Sequence, residues 1–138
     1  MSKKVERSRK MQPCKVTIAT TADNQTTEIT LKGHCSFLDG GAKLRYQDEG
    51  ATVALCLEKG EVFIQRIGDY TLRLHLKKDE VTNGVLGING AEGEVKVKTT
   101  RIAYSISKSS LLLSLHYLLI IGSETQKMKL RIFAKTNE

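Results

Sequence analysis

From Gly33 to Tyr70 the chain reads GHCSFLDGGAKLRYQDEGATVALCLEKGEVFIQRIGDY, short alternating stretches broken by dipeptides such as Gly40-Gly41, Glu49-Gly50 and Lys59-Gly60. Glycine supplies the positive φ that two-residue hairpin turns require. Between these turns apolar residues recur at every second position, the period of a strand with one buried face. Parallel strands need long crossover connections, so stretches this close together can only form an antiparallel meander.

Register arithmetic tests that reading. A turn at Asp23-Asn24 pairs Ala22 with Gln25, which sets Ile18 opposite Ile29 and Val16 opposite Leu31. A turn at Gly40-Gly41 sets Phe37 opposite Leu44 and Cys35 opposite Tyr46. Glu49-Gly50 brings Tyr46 to Val53 and Leu44 to Leu55, and Lys59-Gly60 brings Leu57 to Val62, Leu55 to Ile64 and Val53 to Arg66. Each turn keeps the apolar faces together, whereas a one-residue slip would invert a strand. A three-residue connection through Ile67-Gly68-Asp69 carries the pattern on, with Ile64 opposite Leu72 and Val62 opposite Leu74, and a longer bent strand would preserve the same parity.

The glycine-rich stretch Lys77–Gly93 reads as a flexible connection with one short strand at Val85–Ile88. It lacks the Lys-Ser/Thr and the strand-to-helix context of a phosphate-cradling loop. Alternation resumes at Val95 and Val97 and changes phase at Ile102, Tyr104 and Ile106, so a bulge is expected near Thr99-Thr100-Arg101. A Gly122-Ser123 turn then pairs Tyr117 with Met128, Leu115 with Leu130 and Leu113 with Ile132. No segment has capped helical periodicity. The chain is therefore expected to be all-β, a single antiparallel up-and-down β-barrel of about 8–10 strands. A sandwich would need longer crossovers, which only Lys77–Gly93 could provide.

Charge places the remaining boundary. Five of the first twelve residues (Lys3, Lys4, Arg7, Arg9, Lys10) are cations set against Glu6, so +4 of the net +7 lies in this N-terminal part. Residues 1–13 read as a basic flexible tail and 14–138 as the barrel domain. Short basic runs are weak signals, so a solubilising tail is preferred over a nucleic-acid contact. There is no apolar export segment, no span long enough to cross a bilayer, and Cys14, Cys35 and Cys56 lack metal or disulfide spacing. These features point to a cytoplasmic protein.

Arg66 is the informative anomaly, because alternation puts it on the inner face. A buried guanidinium costs several kcal/mol unless it is paired. Asp48 or Glu49, with the Tyr46 hydroxyl, is the expected partner, and Gly33, Ala51 and Gly68 are expected to leave space beside it. The alternative is that Arg66 anchors a ligand carboxylate or phosphate, for which a planar guanidinium is suited. Candidate ligand-binding residues are Arg66, Tyr46, Asp48, Tyr70 and Tyr117. His34, His75 and His116 fall on outer faces without metal spacing, and no catalytic motif is present. No metal, cofactor or enzymatic role is expected.

Leu44-Arg-Tyr-Gln-Asp-Glu49 followed by Glu61-Val-Phe-Ile-Gln-Arg-Ile-Gly68 resembles the YwiB-like family of uncharacterised bacterial proteins. The likeness covers most of the chain after Cys14. It rests on Tyr46 with its acidic followers, Arg66-Ile67-Gly68, the Gly93 to Thr99 stretch and Tyr117. It departs from the family pattern around Gly84–Gly90, which is richer in glycine and poorer in aromatics. The resemblance implies a calycin- or lipocalin-like barrel and brings no activity with it. Two functions follow as expectations. One is a non-catalytic barrel holding a small anionic or amphipathic ligand near Arg66. The other is a module that contacts RNA or a protein through its basic tail and last strand.

Overall fold

A computed structural model of the chain describes residues 11–38 and 40–136. Ten strands follow one another: β1 (Gln12–Ala22), β2 (Gln25–Leu38), β3 (Gly41–Asp48), β4 (Ala51–Glu58), β5 (Glu61–Ile67), β6 (Tyr70–Leu76), β7 (Val81–Ile88), β8 (Ala91–Ile106), β9 (Ser110–Ile121) and β10 (Glu124–Thr136). Each pairs with its neighbours in sequence, and β1 pairs antiparallel with β10 from Cys14↔Thr136 to Ala22↔Met128, closing the barrel. The described residues include no helix long and apolar enough to cross a membrane. Closure removes most of the exposed edges that an open meander would carry, leaving β8 from Arg101 to Ile106 paired with β9 alone.

The hairpins at Asp23-Asn24, Glu49-Gly50, Lys59-Gly60 and Gly122-Ser123 have the expected registers. Thr99 pairs with Tyr117 and Arg101 with His116, so Thr100 is the extra residue of the expected bulge. Three expectations are corrected. Leu38 pairs with Gly41, so Cys35 faces Leu44 and Gly33 faces Tyr46. Arg66 pairs with Leu72, Ile64 with Leu74 and Val62 with Leu76. Both shifts are by two residues, which leaves every side chain on its face and so escapes a parity test. Residues 77–93 are not a loose connection. They include all of β7, joined to β8 by a two-residue Asn89-Gly90 turn with both φ angles positive.

Gly84 explains why β7 is hard to read. A Cβ there would lie 2.5 Å from the Arg73 carbonyl oxygen and 3.0 Å from Val95 Cγ2. The strands approach so closely that only glycine fits, and glycine interrupts the apolar alternation. β1 begins at Gln12, so Gln12 and Pro13 pair with Cys35 and His34 rather than belonging to a tail. The cations at positions 3 to 10 lie outside the described residues.

Inward-facing leucine, valine and isoleucine side chains fill the barrel along most of its length, and Val62, Leu76, Leu111, Leu113 and Leu115 are sealed from solvent. Burial is graded along the axis. At the end formed by the β2–β3, β4–β5, β6–β7 and β8–β9 connections, the inner side chains Leu57, Val62, Leu76 and Leu111 are fully buried. At the opposite end Leu31, Leu72, Leu86, Met128 and Leu130 are only partly covered, and Ile29 is 38% exposed. Cover is incomplete at the first end too, where Phe37 and Ile106 are partly buried, but the larger set of half-covered apolar side chains gathers at the second, the more open end.

Candidate functional site

The open end collects four of the five residues singled out in the sequence, Tyr46, Asp48, Arg66 and Tyr70. Tyr117 lies deeper, on the opposite wall. Tyr46 on β3 stands opposite Gly33 and Val53, and Val53 in turn stands opposite Arg66 on β5. Inner-face alternation on adjacent hairpins thus brings a phenol and a guanidinium into one row.

Arg66 does not make the ion pair expected of it. Its Nη2 donates to Asp69 Oδ1 at 3.0 Å and its Nη1 to the Tyr70 carbonyl oxygen at 2.8 Å. The Tyr70 ring lies 3.8 Å from the guanidinium carbon, a cation–π contact. The Tyr70 amide also donates to Asp69 Oδ1, so one carboxylate serves both the turn and the arginine. Arg66 therefore clasps its own β5–β6 loop, and Asp48 and Glu49 do not take part. Its side chain is 21% exposed, at the rim rather than in the core. The hydrogen bond from Arg66, more than any other influence, holds the Asp69 carboxyl below its ordinary value.

The space expected beside Arg66 is also filled. A Cβ at Gly33 would lie 2.7 Å from the Arg45 carbonyl oxygen, and one at Gly68 would lie 2.8 Å from Ala51 Cβ. These glycines permit close strand contact and do not line a void.

Below the rim the two tyrosines form a different kind of site. Burial pushes the Tyr46 phenol up to about 12, with Asp48 adding to the shift. Burial raises Tyr117 further, and Tyr46 contributes, so the two phenols are within electrostatic reach of each other across the barrel. Neither hydroxyl has a hydrogen-bond partner among the described residues. Thr99 Oγ1, on the residue paired with Tyr117, is buried and unpartnered as well. Thr99 Oγ1 is sealed from solvent and the Tyr117 hydroxyl is not, although only 5% of Tyr117 is exposed. Both phenols are neutral at physiological pH and can donate to an acceptor that enters from the open end.

Cys14 and Cys35 are buried free thiols on the inner face, and Cys56 lies on the outer face. Burial, with the neighbouring Cys14 thiol, pushes Cys35 up to about 12, which leaves it a poor nucleophile. No group of three or more His, Cys, Asp or Glu able to hold a metal occurs among the described residues. His75 instead stacks on Phe63 and lies 2.6 Å from Glu61 Oε1 on the outer face.

A family model described as Domain of unknown function (DUF1934) matches residues 14–132. No protein of curated function matches the chain. The crystal structure of the ywiB protein from Bacillus subtilis superposes with a TM-score of 0.81 at 15% identity, covering 97% of this chain and 99% of that one. The likeness read from Leu44–Glu49 and Glu61–Gly68 is thus borne out, and with it the barrel.

Proposed function

The chain belongs to the DUF1934 family of domains of unknown function, and from that premise we propose that it is a non-catalytic, cytoplasmic barrel that binds one small amphipathic molecule at its open end. The observation that carries this reading is the pair of neutral, unpartnered phenols of Tyr46 and Tyr117 below a half-buried apolar collar. Each hydrogen bond that an entering acceptor makes to these hydroxyls in place of water contributes about 0.5–1.5 kcal/mol. The collar of Leu31, Leu72, Leu86, Met128 and Leu130 offers an apolar body its contact surface. A carbonyl or carboxylate would accept from the phenols, and Arg66 keeps N–H donors beyond the two given to Asp69 and Tyr70. Lipocalin-like barrels bind ligands in this way. Binding is favoured over chemistry because no base lies within hydrogen-bond distance of either phenol among the described residues. Three free thiols support a reducing compartment.

The test is thermal denaturation in the presence of a graded series of saturated fatty carboxylates. At about a hundredfold excess over Kd, linkage stabilises the fold by about 2.7 kcal/mol, a rise in Tm of about 10 °C. Tyr117→Phe should reduce that rise without lowering the unliganded Tm. No shift for the wild-type protein across the series would refute the proposal.

A further inference from the structure

A second concavity lies on the outer face of β3–β6, away from the mouth. Two adjacent cross-strand rows build it: Lys43–Cys56–Phe63–His75 and Arg45–Ala54–Gln65–Arg73. The outward residues of β4, Ala54 and Cys56, are small, while those on either side are long. A trough of about 480 Å³ results, reached at one end by Met11. Its lining includes Lys43, Arg45 and Arg73 and no carboxylate. Two acids, Glu58 and Glu61, pair in the row beyond Cys56 and Phe63. Glu61 is engaged by His75 at 2.6 Å and by Lys77 at 3.9 Å, and Glu58 lies within electrostatic reach of Cys56.

Phe63 lines the trough and is 42% exposed. Its ring stacks on His75 with centroids 4.4 Å apart and planes 6° from parallel. A flat aromatic pair open to solvent, with Arg45 and Arg73 in the adjacent row, offers a stacking surface with cations on one flank. Gln65, in the adjacent row, presents both a donor and an acceptor. Four strands span about 15 Å, so the trough is wide enough for a chain to cross rather than for one headgroup alone.

The geometry points to a single-stranded nucleic acid as the occupant, with phosphates on Lys43, Arg45 and Arg73 and a base on the Phe63–His75 stack. Charge complementarity selects an anion, and the exposed stack selects one with flat apolar faces. The arrangement differs from the tail-and-last-strand surface expected from the sequence. The last strand also turns Lys127, Lys129, Arg131 and Phe133 outward, but the stacked ring pair found among the described residues is Phe63–His75.

Fluorescence anisotropy with labelled oligouridylate and oligothymidylate tests the proposal on the full chain. Arg45→Ala/Arg73→Ala should weaken binding about tenfold or more and reduce the log–log salt slope by about 1.4, two phosphate contacts on a single strand. The charge-matched pair Lys127→Ala/Lys129→Ala should change affinity less than about twofold. Phe63→Leu should weaken single-strand binding by about threefold or more while leaving the melting temperature unchanged. All five side chains are solvent-facing, so folding is preserved, and thermal melts confirm it. The tighter of the two oligomers identifies the strand as RNA or DNA. Three results would each overturn the proposal. They are no binding at about 100 mM salt, equal losses in the two double variants, or a duplex or polyglutamate competing as well as the single strand.

Discussion

Arg66 commits two of its donors to Asp69 and the Tyr70 carbonyl and its planar face to the Tyr70 ring. Removing Asp69 should therefore free a guanidinium at the rim while costing little stability, since the carboxylate is exposed. Asp69→Ala is expected to leave the melting temperature nearly unchanged and to tighten binding of an anionic amphiphile, read by calorimetry. The buried phenols and thiols predict a pH dependence. Tyr46 is pushed from its ordinary value of 10 up to about 12 and Cys35 from 9 up to about 12, chiefly by burial. The folded state then holds protons that the unfolded chain releases. Their stabilisation is complete below about pH 9 and is lost as pH rises through 12. Urea midpoints should fall across that window, and Tyr46→Phe should flatten the upper part of the decline. Alternation was enough to place Arg66 on the inner face in one row with Tyr46. It could not name the arginine's partner, because Asp69 reads in sequence only as a turn residue and its carboxylate reaches back three positions.

At the scale of strands, close approach is decided by glycine. Gly84→Ala would press a methyl group against the Arg73 carbonyl oxygen at 2.5 Å, whereas Gly93 has nothing within 4 Å of the same position. Urea denaturation should show Gly84→Ala destabilised by about 1–3 kcal/mol. Gly93→Ala should stay within about 0.5 kcal/mol of wild type. β8 makes a second prediction. Its pairing with β7 stops at Lys98, and from Arg101 to Ile106 it pairs with β9 alone. Among residues 101–106, amides directed away from β9 should exchange with solvent faster than their neighbours by orders of magnitude, measured residue by residue by NMR. The strands themselves were legible wherever a turn dipeptide lay between alternating stretches. Registers at β2–β3 and β5–β6 were legible only to within two residues, because a two-residue shift preserves every face. β7 was legible only in its second half, Val85–Ile88, since Gly84 and Gly87 fall where an apolar pattern would have shown the whole strand.

For the whole molecule, the consequence of ten strands in sequential order is a barrel with two unlike ends. One is filled mainly by leucine and valine, the other left half-covered above Tyr46 and Tyr117. That asymmetry could not be read from the chain, because inward alternation marks a side chain's face and not how far along the axis solvent reaches. The outer trough was hidden for a related reason: Ala54 and Cys56 are unremarkable in sequence and matter only because their cross-strand neighbours are long. The central claim, that the open end receives a ligand onto the two phenols, is tested most directly by ¹⁹F NMR of protein labelled with 3-fluorotyrosine. The chain has four tyrosines, so four resonances report at once. Titration with a medium-chain fatty carboxylate should shift the Tyr46 and Tyr117 signals saturably. The Tyr104 signal, at the far end of β8, should stay in place. Tyr46 and Tyr117 signals that remain fixed while the carboxylate reaches its solubility limit would contradict the account.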